Sequence, residues 1–221
     1  MIDLHTHTFA SDGVLAHAEL AHRAEVAGLA ALAFTDHADA ANLERLVREA
    51  VVFIRETQPH LGIRLLAGVE LTHVPPGQIA DLARRARRLG AAIVLVHGET
   101  VSEPVAPGTN RAAIEAGVDI LAHPGLITVE EARLAAAKGV LLEVSTRPSH
   151  GMANGHVVRV ARESGAGLVI DTDAHAPSDL MTAEWRRRTA LGAGLSDADL
   201  AAIDASMAAL VERLAPTLRV T

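Results

Sequence analysis

The sequence of 221 residues contains no cysteine, and only 2% of its residues are aromatic. The absence of cysteine excludes disulfides and thiolate metal sites, so any metal ion must be held by nitrogen and oxygen ligands. With so few rings, the core has to be built from Ala, Val, Leu and Ile. This composition favours helices packed closely on strands.

Long apolar runs and a net positive charge are also missing. No run approaches the ~20 apolar residues that cross a bilayer, and no basic-then-apolar leader is visible. We therefore expect a cytoplasmic protein that does not contact membranes. The formal net charge of −7 argues against broad binding to nucleic-acid phosphates, so we expect no nucleic-acid partner. The sequence does not indicate an oligomeric state.

Short β-rich runs alternate with longer helical patterns, as in parallel strands joined by crossovers. The predicted strands are 2–5, 29–35, 63–70, 92–97, 120–123, 140–144 and 168–171. The predicted helices are 14–28, 43–57, 78–89, 111–116, 129–138, 155–164, 183–188 and 197–214. Seven βα units in so short a chain leave no room for a second domain. The sequence predicts one α/β domain over residues 1–221, a closed or nearly closed barrel with C-terminal helices from about residue 180.

Histidines and acids follow nearly every predicted strand. In barrels of this kind, active sites gather at the carboxyl ends of the strands. The candidate metal ligands at these ends are His5, His7, Asp12, His37, Glu70, His97, His123, Asp173 and His175. Considered alone, each of these residues is at least as well explained as a hydrogen-bonded residue at a strand end as it is by metal binding. Taken together, nine such groups suit two or three ions, since zinc usually takes about four ligands, and Glu70 is the carboxylate able to bridge two of them.

Several short motifs carry a resemblance to a known family. They are His5-Thr6-His7-Thr8, Ser11-Asp12-Gly13, Thr35-Asp36-His37, Gly68-Val69-Glu70, Ala122-His123-Pro124 and Asp173-Ala174-His175. In combination they resemble the PHP (polymerase and histidinol phosphatase) family, from residue 2 to about residue 177. Three further motifs are similar to its stand-alone histidinol-phosphatase-like branch: Gly98-Glu99-Thr100, Gly108-Thr109-Asn110-Arg111 and Asn154-Gly155-His156. The resemblance implies a distorted (β/α)7 TIM-like barrel that holds up to three divalent ions, either zinc, manganese or iron.

The resemblance also implies how the ligands divide. The first ion would be held by His5, His7, Glu70 and Asp173, the second by Glu70, His97 and His123, and the third by Asp12, His37 and His175. Some relatives have histidine where this chain has Asp12. Within this set, Glu70, Asp173 and His175 are assigned the catalytic roles.

The amidohydrolase barrel is the nearest rival, because it also opens with His-x-His on its first strand. Its binuclear members bridge their metals with a modified lysine at the end of the fourth strand. The single lysine of this chain, Lys138, precedes the sixth predicted strand and so lies at the opposite end. The strand count is also one short of that barrel.

Four residues are candidate substrate contacts. Arg147 follows the sixth predicted strand and could clamp a phosphate through its planar guanidinium, although a solvated loop arginine is as good an interpretation. Arg111, His73 and His156 are the others, with surface or supporting roles as their alternatives. His150 lies in a loop on the same side and is a possible contact or supporting donor. His17, His22 and His60 are interpreted as surface residues. Two arginine-rich segments, 84–88 and 186–188, are interpreted as solvated helix faces.

Clustered divalent ions with oxygen and nitrogen ligands suit hydrolysis at phosphorus. We interpret the chain as a metal-dependent phosphoesterase that hydrolyses a small, histidinol-phosphate-like phosphomonoester by attack of metal-bound hydroxide. The alternatives are a phosphodiesterase or exonuclease acting on small or single-stranded substrates, and a non-catalytic scaffold barrel.

Overall fold

The computed structural model describes residues 1–214, which form a nearly closed parallel barrel. Its sheet has the order β1-β2-β4-β5-β6-β7-β8, with all neighbours parallel. A two-residue strand, β3, pairs separately with β4. The strands are β1 Ile2–Thr6, β2 Ala31–Phe34, β3 His37–Ala38, β4 Arg64–Leu71, β5 Ile93–His97, β6 Ile120–Ala122, β7 Leu141–Ser145 and β8 Leu168–Asp171.

Within residues 1–214, eight α-helices connect and flank these strands. They are α1 His17–Val26, α2 Leu43–Thr57, α3 Pro76–Leu89, α4 Thr109–Ala116, α5 Val129–Lys138, α6 Asn154–Ser164, α7 Ala183–Gly192 and α8 Asp197–Leu214. Local chemistry fixes several of their ends. For example, α5 begins with a capping box between Thr128 and Glu131 and ends at Gly139, whose φ of 71° suits a residue without Cβ.

The barrel closes between β1 and β8 along a seam that depends on side chains. Backbone pairing there is limited to one bridge between Thr6 and Ala174 in the described residues. The Asp171 carboxylate accepts a hydrogen bond of 2.7 Å from the Leu4 amide, and the Thr172 hydroxyl donates one of 2.6 Å to Asp3. Helix α8 packs against both β1 and β8 and so covers the seam.

The core is aliphatic, as the composition predicts. All five residues of β5 are buried, because a parallel strand in a barrel is covered by a helix outside and by other side chains inside. Helix α8 contributes Ile203, Met207 and Leu210 to a cluster with Ile2 and Leu4. The strand ends are therefore held by dense packing from both sides.

The predicted barrel is confirmed, and three details of the prediction are wrong. Helix α1 begins at His17 because the backbone of the preceding Ala16 is extended. His17 is half-buried and packs against Phe34 and Phe53, so it is not a surface residue. Arg186 is also buried, because it pairs with Asp204 of α8.

The remaining predictions concern the chain's limits and its setting. Residues 215–221 of the predicted domain lie outside the described residues. Within residues 1–214, no helix combines the length and apolar character needed to span a membrane. The single-domain limits and the cytoplasmic location stay predictions.

Candidate metal centre

The nine candidate ligands converge at the carboxyl ends of the strands. They lie in or after β1, β3, β4, β5, β6 and β8. Two of them, His123 and Asp173, have φ values of 29° and 53°, in the left-handed region that residues with Cβ rarely adopt. His73, at the same mouth, has a φ of 52°. Backbone strain of this kind concentrates at functional sites.

The innermost group joins β1 to the chain after β8. The Nε2 atoms of His5 and His7 lie 3.6 and 3.1 Å from Oδ1 of Asp173. His5 Nε2 is also 3.5 Å from Glu70 Oε1. The ligand atoms of His5, His7 and Asp173 are close enough to share one ion, and Glu70 lies beside them. They coincide with the first ligand group that the resemblance implies.

A second group gathers around the same carboxylate. Oε1 of Glu70 lies 3.4 Å from His97 Nδ1 and 3.4 Å from His123 Nε2, while Oε2 faces His37 at 2.7 Å. Glu70 is fully buried and its two oxygens point toward different histidines. Its Oε1 atom thus lies beside residues of the first and second groups, and its Oε2 atom beside His37 of the third.

The third group lies nearer to solvent. Asp12 Oδ1 is 3.4 Å from His37 Nε2 and 3.2 Å from His175 Nε2. The ring of His7 is 4.2 Å from the rings of both His37 and His175. The Asp12 side chain is 55% exposed, so this group forms the outer wall of the centre.

Buried polar atoms without partners test whether these residues suit a metal. Within residues 1–214, eight such atoms belong to the inner ligands, and they are His5 Nε2, both ring nitrogens of His7 and of His97, Glu70 Oε1, His123 Nδ1 and Asp173 Oδ1. A buried polar atom without a partner costs about 1–3 kcal/mol. Imidazole nitrogens and carboxylate oxygens are good ligands for zinc, manganese and iron. The residues fit divalent metal ions.

The pKa shifts of His7, Glu70 and Asp173 also favour metal binding. Burial lowers the pKa of His7 to about 4, which keeps the imidazole in the neutral form that binds metals. Burial opposes ionisation of Glu70, but His5 and His37 hold its pKa well below its usual range. Burial likewise opposes ionisation of Asp173, and His5 and His7 hold its pKa low. Both carboxylates are thus held toward the ionised form that accepts cations, whereas Glu143, Glu70 and Asp173 raise the pKa of His5 against the effect of its burial.

Glu143 on β7 is a supporting residue that the sequence analysis missed. One carboxylate oxygen lies 2.8 Å from His5 Nδ1, and the other accepts a hydrogen bond of 2.7 Å from the His123 amide. A carboxylate at Nδ1 fixes the tautomer of His5, so that Nε2 is left to bind metal. The available signal was an acid between Leu142 and Val144 in an otherwise apolar strand.

The open side of the centre is a pocket of about 240 Å³. Its lining includes five ligands and also Thr72, His73, Glu103, Arg147 and His150. Glu103, which the sequence analysis did not single out, lies 3.3 Å from His97 Nε2. Its position in a loop rich in Pro and Gly gave no signal.

The structure brings two of the four predicted substrate contacts into this pocket. Arg147 donates a hydrogen bond of 3.0 Å from Nη1 to the carbonyl of Asp173, and His73 lines the outer edge. Arg111 is exposed and pairs with Glu115 and Glu130, so it lies outside. The Nε2 atom of His156 lies 2.8 Å from a backbone carbonyl, and His156 does not line the pocket.

Comparison with known proteins supplies the family context. The family described as PHP domain matches residues 3–160. An uncharacterized protein of Methanocaldococcus jannaschii is 46% identical over 200 residues, which are 90% of this chain and 92% of the relative.

Two solved structures share the fold at low identity. A chain from archaeal ribonuclease P with mature tRNA is 19% identical, with a TM-score of 0.72, over 100% of this chain and 94% of that one. Histidinol phosphate phosphatase of Lactococcus lactis, complexed with zinc, L-histidinol and phosphate, is 17% identical, with a TM-score of 0.60, over 88% and 94%. The expectation that nucleic acid is not a partner gains no support and stays a prediction.

Proposed function

Since this chain belongs to the PHP domain family and is a metal-dependent hydrolase of phosphoester bonds, we propose that its substrate is a small phosphomonoester. The main support for this proposal is the set of buried, unpartnered imidazole and carboxylate atoms around Glu70 at the base of a small pocket. Two or three divalent ions held there would activate water and neutralise charge on the phosphoryl group. The retained ligands argue against the non-catalytic scaffold.

The residues of the chain have distinct proposed roles. Glu70 would help to hold two of the ions, Asp173 and His175 would complete the catalytic set, and Arg147 would pair with phosphate oxygens from the pocket wall. A guanidinium presents parallel donors that match phosphate geometry. A dianionic monoester gains more from this contact than a monoanionic diester does. His73 lines the outer edge of the pocket, where it can contact substrate.

Glu103 supports a histidinol-phosphate-like alcohol. Its carboxylate stands in the pocket, and its Oε1 atom lies 3.6 Å from His150 Nε2. An amino group on the alcohol would meet this negative charge. The structurally similar phosphatase of Lactococcus lactis, which was crystallised with L-histidinol and phosphate, is consistent with that chemistry. A phosphodiesterase or exonuclease is the alternative.

The test compares three substrates on protein loaded with zinc or manganese: histidinol phosphate, glycerol phosphate and bis(p-nitrophenyl) phosphate. We expect the monoesters to have the higher kcat/KM, with histidinol phosphate above glycerol phosphate. Chelation should abolish turnover, and added metal should restore it. Preference for the diester would replace the proposal with the phosphodiesterase alternative.

Arg147→Ala tests the phosphate contact. We expect kcat/KM for the monoester to fall by about 2–4 kcal/mol, the scale of a desolvated charged contact, and the fall on a diester to be smaller. If the contact is equal in ground and transition state, KM rises; if it forms in the transition state, kcat falls. Arg111→Ala is the matched control because Arg111 lies outside the pocket, and it should change little. Unchanged kinetics in Arg147→Ala would remove this role.

A further inference from the structure

A second, shallower groove begins where the metal pocket ends. Arg147 lines both hollows, so the groove is continuous with the proposed phosphate position. From Arg147 it runs between the start of α6 and one face of α7. Trp185 and Thr189 lie on that face of α7, one helical turn apart. A substrate bound at the metal centre therefore has a defined path for its alcohol part.

Trp185 is the only tryptophan of the chain, and it is 40% exposed. Helix α7 makes its buried contacts through Arg186 and Ala190, so the fold does not require a large ring at position 185. Across the groove, the side chain of Met152 is 66% exposed. The flexible thioether of Met152 and the indole of Trp185 give the groove apolar walls.

The rest of the groove is lined by small residues, which leave room for a flat group. Gly155 and Gly192 line it, and a Cβ added to either would meet no atom within 4 Å. Positively charged side chains lie at both ends of the groove. Arg147 stands at the inner end, and Arg188 lies beside Trp185 in the adjoining hollow. Arg188 has no ion-pair partner within residues 1–214.

We propose that this groove binds a planar heteroaromatic ring carried by the substrate's alcohol, stacked on Trp185 while Arg147 holds the phosphate. This inference rests on the proposed phosphomonoesterase function and narrows it to ring-bearing esters. Two sources share the chemistry: a nucleoside 5′-monophosphate and an imidazole-bearing alcohol phosphate. Stacking on an aromatic side chain suits either ring, because each presents a π-face.

The kinetic test compares Trp185→Ala with Trp185→Phe on adenosine 5′-monophosphate, histidinol phosphate and ring-free glycerol phosphate. We expect Trp185→Ala to lower kcat/KM for a ring-bearing ester about 5- to 100-fold, the range for loss of one stacked base. Trp185→Phe should recover most of this loss, and glycerol phosphate should be unaffected. Leu191→Ala is the matched control, since Leu191 is equally exposed on α7 but does not line the groove.

Each kinetic outcome has a meaning. A loss confined to the adenosine ester identifies a nucleotide, and one confined to histidinol phosphate identifies the imidazole alcohol. Equal losses on glycerol phosphate, or no loss on either ring-bearing ester, would overturn the groove proposal. If wild-type protein hydrolyses none of the three, the proposed function fails.

Fluorescence tests ring binding in the groove independently of turnover. Trp185 is the only indole of the chain, so its emission reports on the surroundings of this one side chain. Adenosine or histidinol, added with inorganic phosphate to the metal-loaded protein, should quench or shift the emission with saturation, whereas glycerol with phosphate should not. No saturable change with either ring-bearing alcohol would overturn the proposal, whatever the kinetics show.

Discussion

Replacing Glu70 should show whether its carboxylate bridges two ions or binds only one. Its oxygens face different histidines, and an amide bridges two cations poorly. Glu70→Gln should therefore lose more than one ion per chain and nearly all turnover, whereas Asp12→Asn at the exposed outer wall should lose at most one ion. Elemental analysis after metal-supplemented expression measures this difference. Equal metal content in Glu70→Gln and wild type would remove the bridging role.

Glu143 should act on metal binding through His5. Replacing the carboxylate at His5 Nδ1 by an amide weakens the fixed tautomer, so Glu143→Gln should reduce metal affinity about 10- to 100-fold. Competition with a chromophoric chelator would measure the affinity. Saturating metal should restore most of the activity, because Glu143 does not line the substrate pocket. Glu115→Gln, an exposed change on α4, is the control. Wild-type affinity in Glu143→Gln would contradict the positioning role.

At the residue scale, the sequence predicted which side chains meet at the mouth of the barrel, because most candidate ligands stand in short motifs near strand ends; their role as ligands stays a prediction. It could not predict Glu143 or Arg186. Whether an acid in a strand, or an arginine in a helix, is buried depends on partners distant in the chain, here His5 and Asp204. For the same reason, the sequence alone could not tell which of Arg111 and Arg147 lies at the surface and which lines a pocket. Only the fold shows that one faces surface acids and the other a pocket.

At the scale of elements, two ion pairs join α7 to α8 and invite a matched comparison. Arg186, with a side chain only 3% exposed, lies 2.7 Å from Asp204, while Arg187 and Asp197 pair in solvent. Asp204→Ala should lower the free energy of unfolding by about 2–4 kcal/mol, because it leaves a buried guanidinium unpaired. Asp197→Ala should change it little, since exposed pairs contribute little. Urea denaturation measures both, and similar values would contradict the burial argument.

Element boundaries were predictable wherever a local signal exists. Gly139 and the capping box at Thr128 end and begin α5, and the predicted helix over 129–138 agrees with α5. Strand β3 was not predicted, because two residues carry no periodicity and its pairing partner is Glu70 in another unit. The start of α1 was wrong because residues 14–16 are apolar enough to continue a helical pattern.

For the whole molecule, the metal ions should contribute to folding stability. The unpartnered inner atoms are expected to bind ions in the folded chain and not in the unfolded one. Free metal at a hundredfold excess over Kd then stabilises by about 2.7 kcal/mol per site. Calorimetry should show a lower Tm after chelation, restored by zinc or manganese more fully than by magnesium, which prefers oxygen ligands. An unchanged Tm after verified metal removal would contradict this.

The seam between β1 and β8 would give an inner ion a mechanical role. His5 and His7 lie on one side of it and Asp173 on the other, so an ion held by all three would link the two sides where the barrel closes. Such an ion would have to be released by one side before β1 and β8 could part there. We therefore expect opening of the seam to require release of that ion. The Leu4 amide, bonded across the seam to Asp171, should exchange its hydrogen no faster than the ion departs.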